Sequence, residues 1–174
     1  QAAGITGGSF SILLLGSGVS GLAGELRGFG AAKVLVADDA SLGSYLAERY
    51  APTVAAVAKG YSVVIGTASS YGKDLLPRPA ARLEAGYVCD ITGVLNDGGL
   101  KYKRPMFAGN AFGICSIQSA IQVVSVRQSA FAPAEPTGGE SPVENVAVAP
   151  PGQAASRAEF VSLDGEVREA ALWF

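Results

Sequence analysis

Short apolar runs recur along the first part of the chain: Phe10 to Leu15 (F-S-I-L-L-L), Lys33 to Ala37 (K-V-L-V-A) and Tyr61 to Gly66 (Y-S-V-V-I-G). Each is rich in branched side chains, and intervals long enough for a helix separate them. That rhythm predicts parallel strands joined by right-handed crossovers. Between Leu42 and Lys59, Leu46, Tyr50, Val54 and Val57 fall three and four residues apart. This predicts a helix, bent or begun near Pro52, whose ring removes a backbone donor. After the third strand, Ser69 to Lys73 reads as a loop and Asp74 as the cap of a helix carrying Ala80, Ala81, Arg82 and Leu83. Pro77 and Pro79 fit that helix only in its first turn or before it.

From Gly86 the pattern changes. V-C-D-I-T-G-V-L, the N-D-G-G of Asn96 to Gly99, then K-Y-K-R-P-M-F, A-F-G-I-C-S-I and Q-V-V-S-V-R read as strands joined by tight turns. The predicted fold class is α/β: a three-layer α/β/α sandwich whose mostly parallel sheet closes with a partly antiparallel edge. Ala132 to Ser156 holds most of the remaining prolines with Gly, Glu, Ser and Ala and no sustained period. It reads as an extended linker, which divides the chain into a domain over 1–131, a linker over 132–156 and a tail over 157–174 ending in Trp173 and Phe174. No internal repeat emerges, which argues against a solenoid or propeller.

Composition narrows the function classes. A chain of 174 residues suits one ordinary domain. It is 49% hydrophobic and 16% charged, against about 25% charged for an average soluble domain, so much of its surface is apolar or neutral and a partner is expected. Lys and Arg number 13 against 15 Asp and Glu with no basic run, so nucleic acid is not an expected partner. The apolar stretch Phe10 to Leu15 is far short of the roughly 18 to 20 residues of a membrane span, and no membrane insertion is expected. The chain contains no His, which removes Ser-His triads, His-based acid–base catalysis and His-ligated zinc together. Cys89 and Cys115 lack metal-ligand spacing and read as buried free thiols.

One motif suggests a cofactor. Directly after the first strand stands Gly16-Ser17-Gly18-Val19-Ser20-Gly21, a G-x-G-x-x-G, and the second strand ends in Asp38 and Asp39. In a dinucleotide site, Gly16 would permit the tight turn, Gly18 and Gly21 the approach of a pyrophosphate to a helix N-terminus, and Asp38 or Asp39 would take a ribose hydroxyl. Against this, Gly24, Gly28 and Gly30 follow, and each costs a helix about 1 kcal/mol relative to Ala. The plain alternative is a βα turn of any doubly wound sheet.

A longer block carries more. The run Ala68 to Ile91 contains Gly72, Lys73, Leu75, Leu76, Pro77, Arg78, Ala80, Ala81, Arg82, Asp90 and Ile91 in an order that resembles the N-terminal domain of the electron transfer flavoprotein alpha subunit. The resemblance continues in A-K-V-L-V-A (Ala32 to Ala37), F-A-G-N-A (Phe107 to Ala111) and S-V-R (Ser125 to Arg127) followed by Phe131. It covers roughly Ser11 to Phe131, departing from the family at Pro79 and Phe107.

The resemblance implies an adenine-nucleotide-hydrolase-like sheet whose first strand lies ahead of Gln1, and a C-terminal FAD domain that Arg157 to Phe174 does not resemble. It implies a scaffold and subunit-docking domain of a heterodimer that carries electrons through FAD from acyl-CoA and other dehydrogenases of fatty acid oxidation to a membrane quinone reductase. FAD would be held mainly by the C-terminal domain and AMP by the beta subunit, with no cofactor on this chain alone. The setting implied is the mitochondrial matrix in a eukaryote or the cytoplasm in a bacterium. Such a chain is an electron carrier's piece rather than a catalyst, and no catalytic constellation stands in it. Arg78 and Arg82, at i and i+4, share a helix face with Lys73 nearby; these three are the candidate interface residues, the alternative being a solvated basic face. Two rivals stand beside this reading: a Rossmann-like dinucleotide domain using Gly16, Gly18, Gly21 and Asp38, and an interaction module acting through the Pro-rich tail.

Overall fold

The apolar runs become strands. In the computed structural model, which describes residues 2–150 and 158–162, Ala2–Thr6 form helix α1, Ser11–Gly16 form β1, Ala23–Leu26 form α2 and Lys33–Asp38 form β2. Helix α3 (Ala47–Ala58) leads to β3 (Val63–Thr67), and the short helices α4 (Ser70–Leu75) and α5 (Pro77–Arg82) lead to β4 (Gly86–Ile91). An antiparallel meander follows, β5 (Gly93–Asn96), β6 (Leu100–Met106) and β7 (Ala111–Ser116), before β8 (Gln122–Val126) and β9 (Val143–Asn145). Residues 151–157 and 163–174, with Trp173 and Phe174, lie outside the described residues.

The parallel strands run in the order β1-β2-β9 in one sheet and β3-β8-β4 in another. Within β2 the faces alternate. Val34 and Val36 pack with Ile12, Leu14, Ala23 and Leu26 on the α2 side, while Leu35 lines a cavity with Val54, Val57 and Ala58 of α3. Leu76 and Ala80 cover Val123 of β8, and Val94, Leu100, Cys115 and Ile117 of the meander region close over Val88, Ile91, Tyr102 and Val124. Beside the helical layer of α3 to α5, the second layer is thus part helix and part antiparallel sheet, as the α/β class and its antiparallel edge require.

β1 and β3 do not pair with each other. The gap between them is an apolar slot, with a cavity of about 240 Å³ lined by Leu13, Leu15, Val63, Ile65 and the α3 residues Val54 and Val57. A second cavity, of about 520 Å³, opens beside Ala2, Ala3, Phe10 and Ile12. Ile65, in the middle of β3, is consequently 48% exposed.

Two local expectations are corrected. Helix α3 starts at Ala47 and passes through Pro52 without a break; Pro52 is buried on the inner face, and that packing holds the turn despite the missing donor. Asp74 lies inside α4 rather than capping a helix, and Ser69 is the cap, its hydroxyl accepting from Gly72 N–H at 3.2 Å. Gly72 serves this turn because a Cβ there would stand 1.8 Å from the Thr67 carbonyl oxygen. Within the span read as a linker, residues between 141 and 149 meet the domain. Ser141 is buried with its Oγ 2.7 Å from Ala31 O, β9 pairs with β2, Lys33 meets Glu144 at 3.0 Å, and Ala149 N–H donates to Thr53 Oγ1 at 2.9 Å. Pro77 opens α5 and Pro79 falls in the same first turn.

Candidate functional site

The glycine loop is held by its own chain. The parallel register sets Gly16 beside Asp38, and Gly18 turns the backbone through φ +71°, a conformation that favours glycine. Gly18 N–H donates to Asp38 Oδ1 at 2.6 Å, Ser20 N–H to Oδ2 at 2.8 Å and the Ser20 hydroxyl to the same oxygen at 2.5 Å. The Ser20 hydroxyl foremost, and the amides after it, hold the Asp38 carboxyl below the usual carboxylate range. Asp39 is similarly lowered by Ser41, whose N–H it accepts at 2.8 Å. The helix that follows Gly21 spans only Ala23–Leu26. A pyrophosphate at this loop would compete with the Asp38 carboxylate for the Gly18 and Ser20 amides.

The basic candidates Lys73, Arg78 and Arg82 follow the cap at Ser69 on α4 and α5. Arg78 Nη2 stands 3.6 Å from Asp74 Oδ1, with both side chains about half exposed. Tyr45 Oη lies 3.2 Å from Asp74 Oδ2 and 3.1 Å from Tyr71 O, and its ring meets Tyr71 edge-on at 4.5 Å. Burial first, and the Asp74 charge next, push the Tyr45 phenol well above its ordinary value. Arg82 is exposed on the second turn of α5. The structure therefore splits the trio: Arg78 is partly engaged by its own helix pair, while Lys73 sits where its charge reaches Asp90.

The matched residues Asp90 and Arg127 come together, which spacing alone did not show. They end two neighbouring parallel strands, and Arg127 donates from Nε to Asp90 Oδ1 at 3.1 Å and from Nη2 to Oδ2 at 2.5 Å. Asp90 has φ +58° at a register slip between Val88 and Ile91, a strained conformation for a side-chain-bearing residue. Its N–H donates to the fully buried Ser125 Oγ at 2.9 Å, which also lies 3.0 Å from Tyr87 Oη. The Arg127 hydrogen bonds chiefly, with the charges of Arg127, Lys73 and Arg104 adding, keep the Asp90 carboxyl low. Cys89 and Cys115 are free and half-buried, and no cluster of metal-ligating side chains occurs among the described residues.

A carboxylate fork at the carboxyl ends of parallel strands, beside a cationic helix pair, can orient and hold another protein surface. The family model described as "Electron transfer flavoprotein domain" matches residues 1–151. The chain is 36% identical over 146 residues to the electron transfer flavoprotein subunit alpha of Pseudomonas aeruginosa, covering 83% of this chain and 47% of that protein. It is 35% identical over 147 residues to the subunit alpha of Paracoccus denitrificans, with 83% and 47% covered. It is 33% identical over 147 residues to the probable mitochondrial subunit alpha of Caenorhabditis elegans, with 83% and 43% covered. The chain spans about half the length of these curated relatives. On these matches and this α/β architecture, the chain belongs to the electron transfer flavoprotein family, as an N-terminal domain of the alpha-subunit type.

Proposed function

We propose that this chain is the scaffold and subunit-docking domain of an electron transfer flavoprotein alpha subunit. In the complete heterodimer, FAD would carry electrons from acyl-CoA and other dehydrogenases to a membrane quinone reductase. The observation that supports a scaffold role is the Asp38 carboxylate, which accepts from Gly18 N–H and from both the N–H and the hydroxyl of Ser20. A loop that satisfies its own amides stabilises a βα turn and offers no open cradle to a phosphate. FAD belongs, on this reading, to a C-terminal domain and AMP to the beta subunit. Lys73, Arg78 and Arg82 are proposed to meet acidic groups of another domain at the carboxyl ends of β3, β4 and β8. The apolar slot between β1 and β3 is proposed to take a strand ahead of α1, since a right-handed crossover through α1 would set such a strand parallel to β1 on its open side.

The test is to purify the complete protein and record its flavin spectrum and subunit content, then titrate the 174-residue chain with FAD, NAD and AMP. The expected outcome is a yellow two-subunit protein and no micromolar binding by the chain alone. Micromolar binding that disappears in Gly18→Val would favour the dinucleotide reading instead.

A further inference from the structure

The carboxyl ends of β4 and β8 gather more positive charge than Asp90 balances. Backbone pairing sets the arrangement. Arg127 N–H donates to Ile91 O at 2.9 Å and Thr92 N–H to Lys103 O at 2.7 Å, so Arg127 and the end of β6 flank the segment by which the chain leaves β4. Residues directly opposite in antiparallel strands share a face. Tyr102 stands opposite Val94 and Cys115 and is fully buried. Arg104, two residues on, lies on that same inward side, whereas Phe112 and Ile114 turn outward and are exposed.

Arg104 is half-buried, and its Nε is closed off from water without a hydrogen-bond acceptor. Native structures pair most such donors, because an orphaned one beside a charge is costly. Among the described residues neither Arg104 nor Lys73 forms an ion pair. Both charges nevertheless act on the Asp90 carboxyl, and that of Arg104 also on the Tyr87 phenol, which brings them to one corner from β6 and from α4. Asp90 itself is taken up by the fork of Arg127. Three cations around one carboxylate leave two positive charges unbalanced.

We propose that Arg104, Arg127 and Lys73 form a binding site for a phosphate group at the carboxyl ends of β4 and β8. The ligand class follows from charge and direction. A phosphate group carries a charge of about −1.5 to −2 at neutral pH and several acceptor oxygens, which matches two unbalanced positive charges converging from a β6 end, a β8 end and a helix. A carboxylate offers one charge and two oxygens in one plane. Turning the Arg104 guanidinium to a phosphate exchanges an orphaned N–H for a charge-assisted hydrogen bond, and Lys73 adds a point charge at the exposed rim. Arg127 stays fixed by Asp90, and ligands of open parallel sheets sit beyond the carboxyl ends of the strands. The site is separate from the Gly18 loop, which follows β1, and it stands whether or not the subunit role does. Lys73 is shared with the proposed docking face; Arg78 and Arg82 are not part of the site.

The experiment titrates the 174-residue chain with inorganic phosphate, monomethyl phosphate and acetate by calorimetry at constant ionic strength, which separates a site from general screening. The expected result is one phosphate per chain with a dissociation constant of about 1 mM or tighter, and acetate weaker by about tenfold or more. Arg104→Met, which keeps the apolar stem and removes the charge, weakens phosphate by about tenfold or more. Lys59→Met, at the exposed C-terminal cap of α3 and so at the amino ends of the strands, leaves affinity within about twofold. Asp90→Asn tightens phosphate by about threefold or more, because it removes the one opposing charge. Asn also suits the φ of +58° at that position, so this variant decides alone should Arg104→Met fail to fold. A monomethyl ester that binds as well as phosphate identifies the phosphate group of a larger molecule, and a weaker ester identifies the free ion; both support the site. Absence of saturable binding, acetate as strong as phosphate, unchanged affinity in a folded Arg104→Met, or weaker binding in Asp90→Asn overturns the proposal. Acetate as strong as phosphate would instead assign the corner to a protein carboxylate.

Discussion

Ser125 shows how one buried hydroxyl carries a whole corner of the fold. It is fully buried, accepts from Asp90 N–H and lies within hydrogen-bond reach of Tyr87 Oη. An unpaired donor in such a place costs about 1–3 kcal/mol. Ser125→Ala is therefore expected to lower unfolding stability by that amount in urea titration and to speed exchange of the Asp90 amide; an unchanged midpoint would show that the corner repacks freely. The sequence marks Ser125, Asp90 and Arg127 as parts of matched blocks. Their joining is invisible there, because 37 positions separate Asp90 from Arg127 along the chain and only parallel pairing of β4 with β8 closes that distance.

Among the elements, β1 and β3 are the pair whose facing edges lack a neighbour, and their apolar residues line the slot between them. A strand seated there would bury branched side chains against α3 on one face and beside α1 on the other, each worth about 1.5–3 kcal/mol when fully buried. The expected outcome is that a chain extended by a strand ahead of α1 unfolds at a higher urea concentration and with a larger m-value, since m scales with the surface exposed on unfolding. Amide exchange in β3 should slow as well. Identical midpoint and m-value in the two chains would show that nothing fills the slot. The strands were legible from their apolar runs, and so was the helical interval before β3. The cap was not, because Ser69 and Asp74 are both competent acceptors and only the 1.8 Å approach of a Cβ at Gly72 to the Thr67 carbonyl selects the tighter turn. β9 was hidden for a related reason: Pro-rich composition predicts extension, and an extended segment becomes a strand only where an open edge such as that of β2 receives it.

For the whole molecule, the absence of His leaves no imidazole to titrate near neutrality. The carboxyls of Asp38, Asp39, Asp90 and Asp97 are all held below their ordinary 3.8 by hydrogen bonds or ion pairs. Groups whose folded pKa is depressed stabilise the fold above the unfolded value and lose that contribution as pH falls through the folded one. At the other end, burial pushes the Tyr102 phenol up to about 12 and Glu144 raises Lys33. Their contributions are complete below the unfolded values and disappear as pH climbs through the raised ones. Thermal melts should therefore show a plateau from about pH 5 to 9, with losses below about pH 4 and above about pH 10. A step in melting temperature inside the plateau would contradict this assignment of charges.

The sequence by itself determined the α/β class, the order of the strands along the chain and the family, because apolar periodicity and collinear motifs are local properties of the polypeptide. It also supplied two readings of the glycine loop, a dinucleotide site and a plain βα turn, with Gly24, Gly28 and Gly30 counting against the first. Tertiary structure decided what the loop amides touch: Gly16 and Asp38 lie side by side in adjacent parallel strands, and the carboxylate accepts from Gly18 and Ser20. The same holds for the outward face of β5–β7. Phe112 and Ile114 read as ordinary strand residues until the pairing of β6 with β7 turned Tyr102 inward and them outward. Which side of a sheet meets water depends on register and on what packs behind it, and both arise only when distant segments meet.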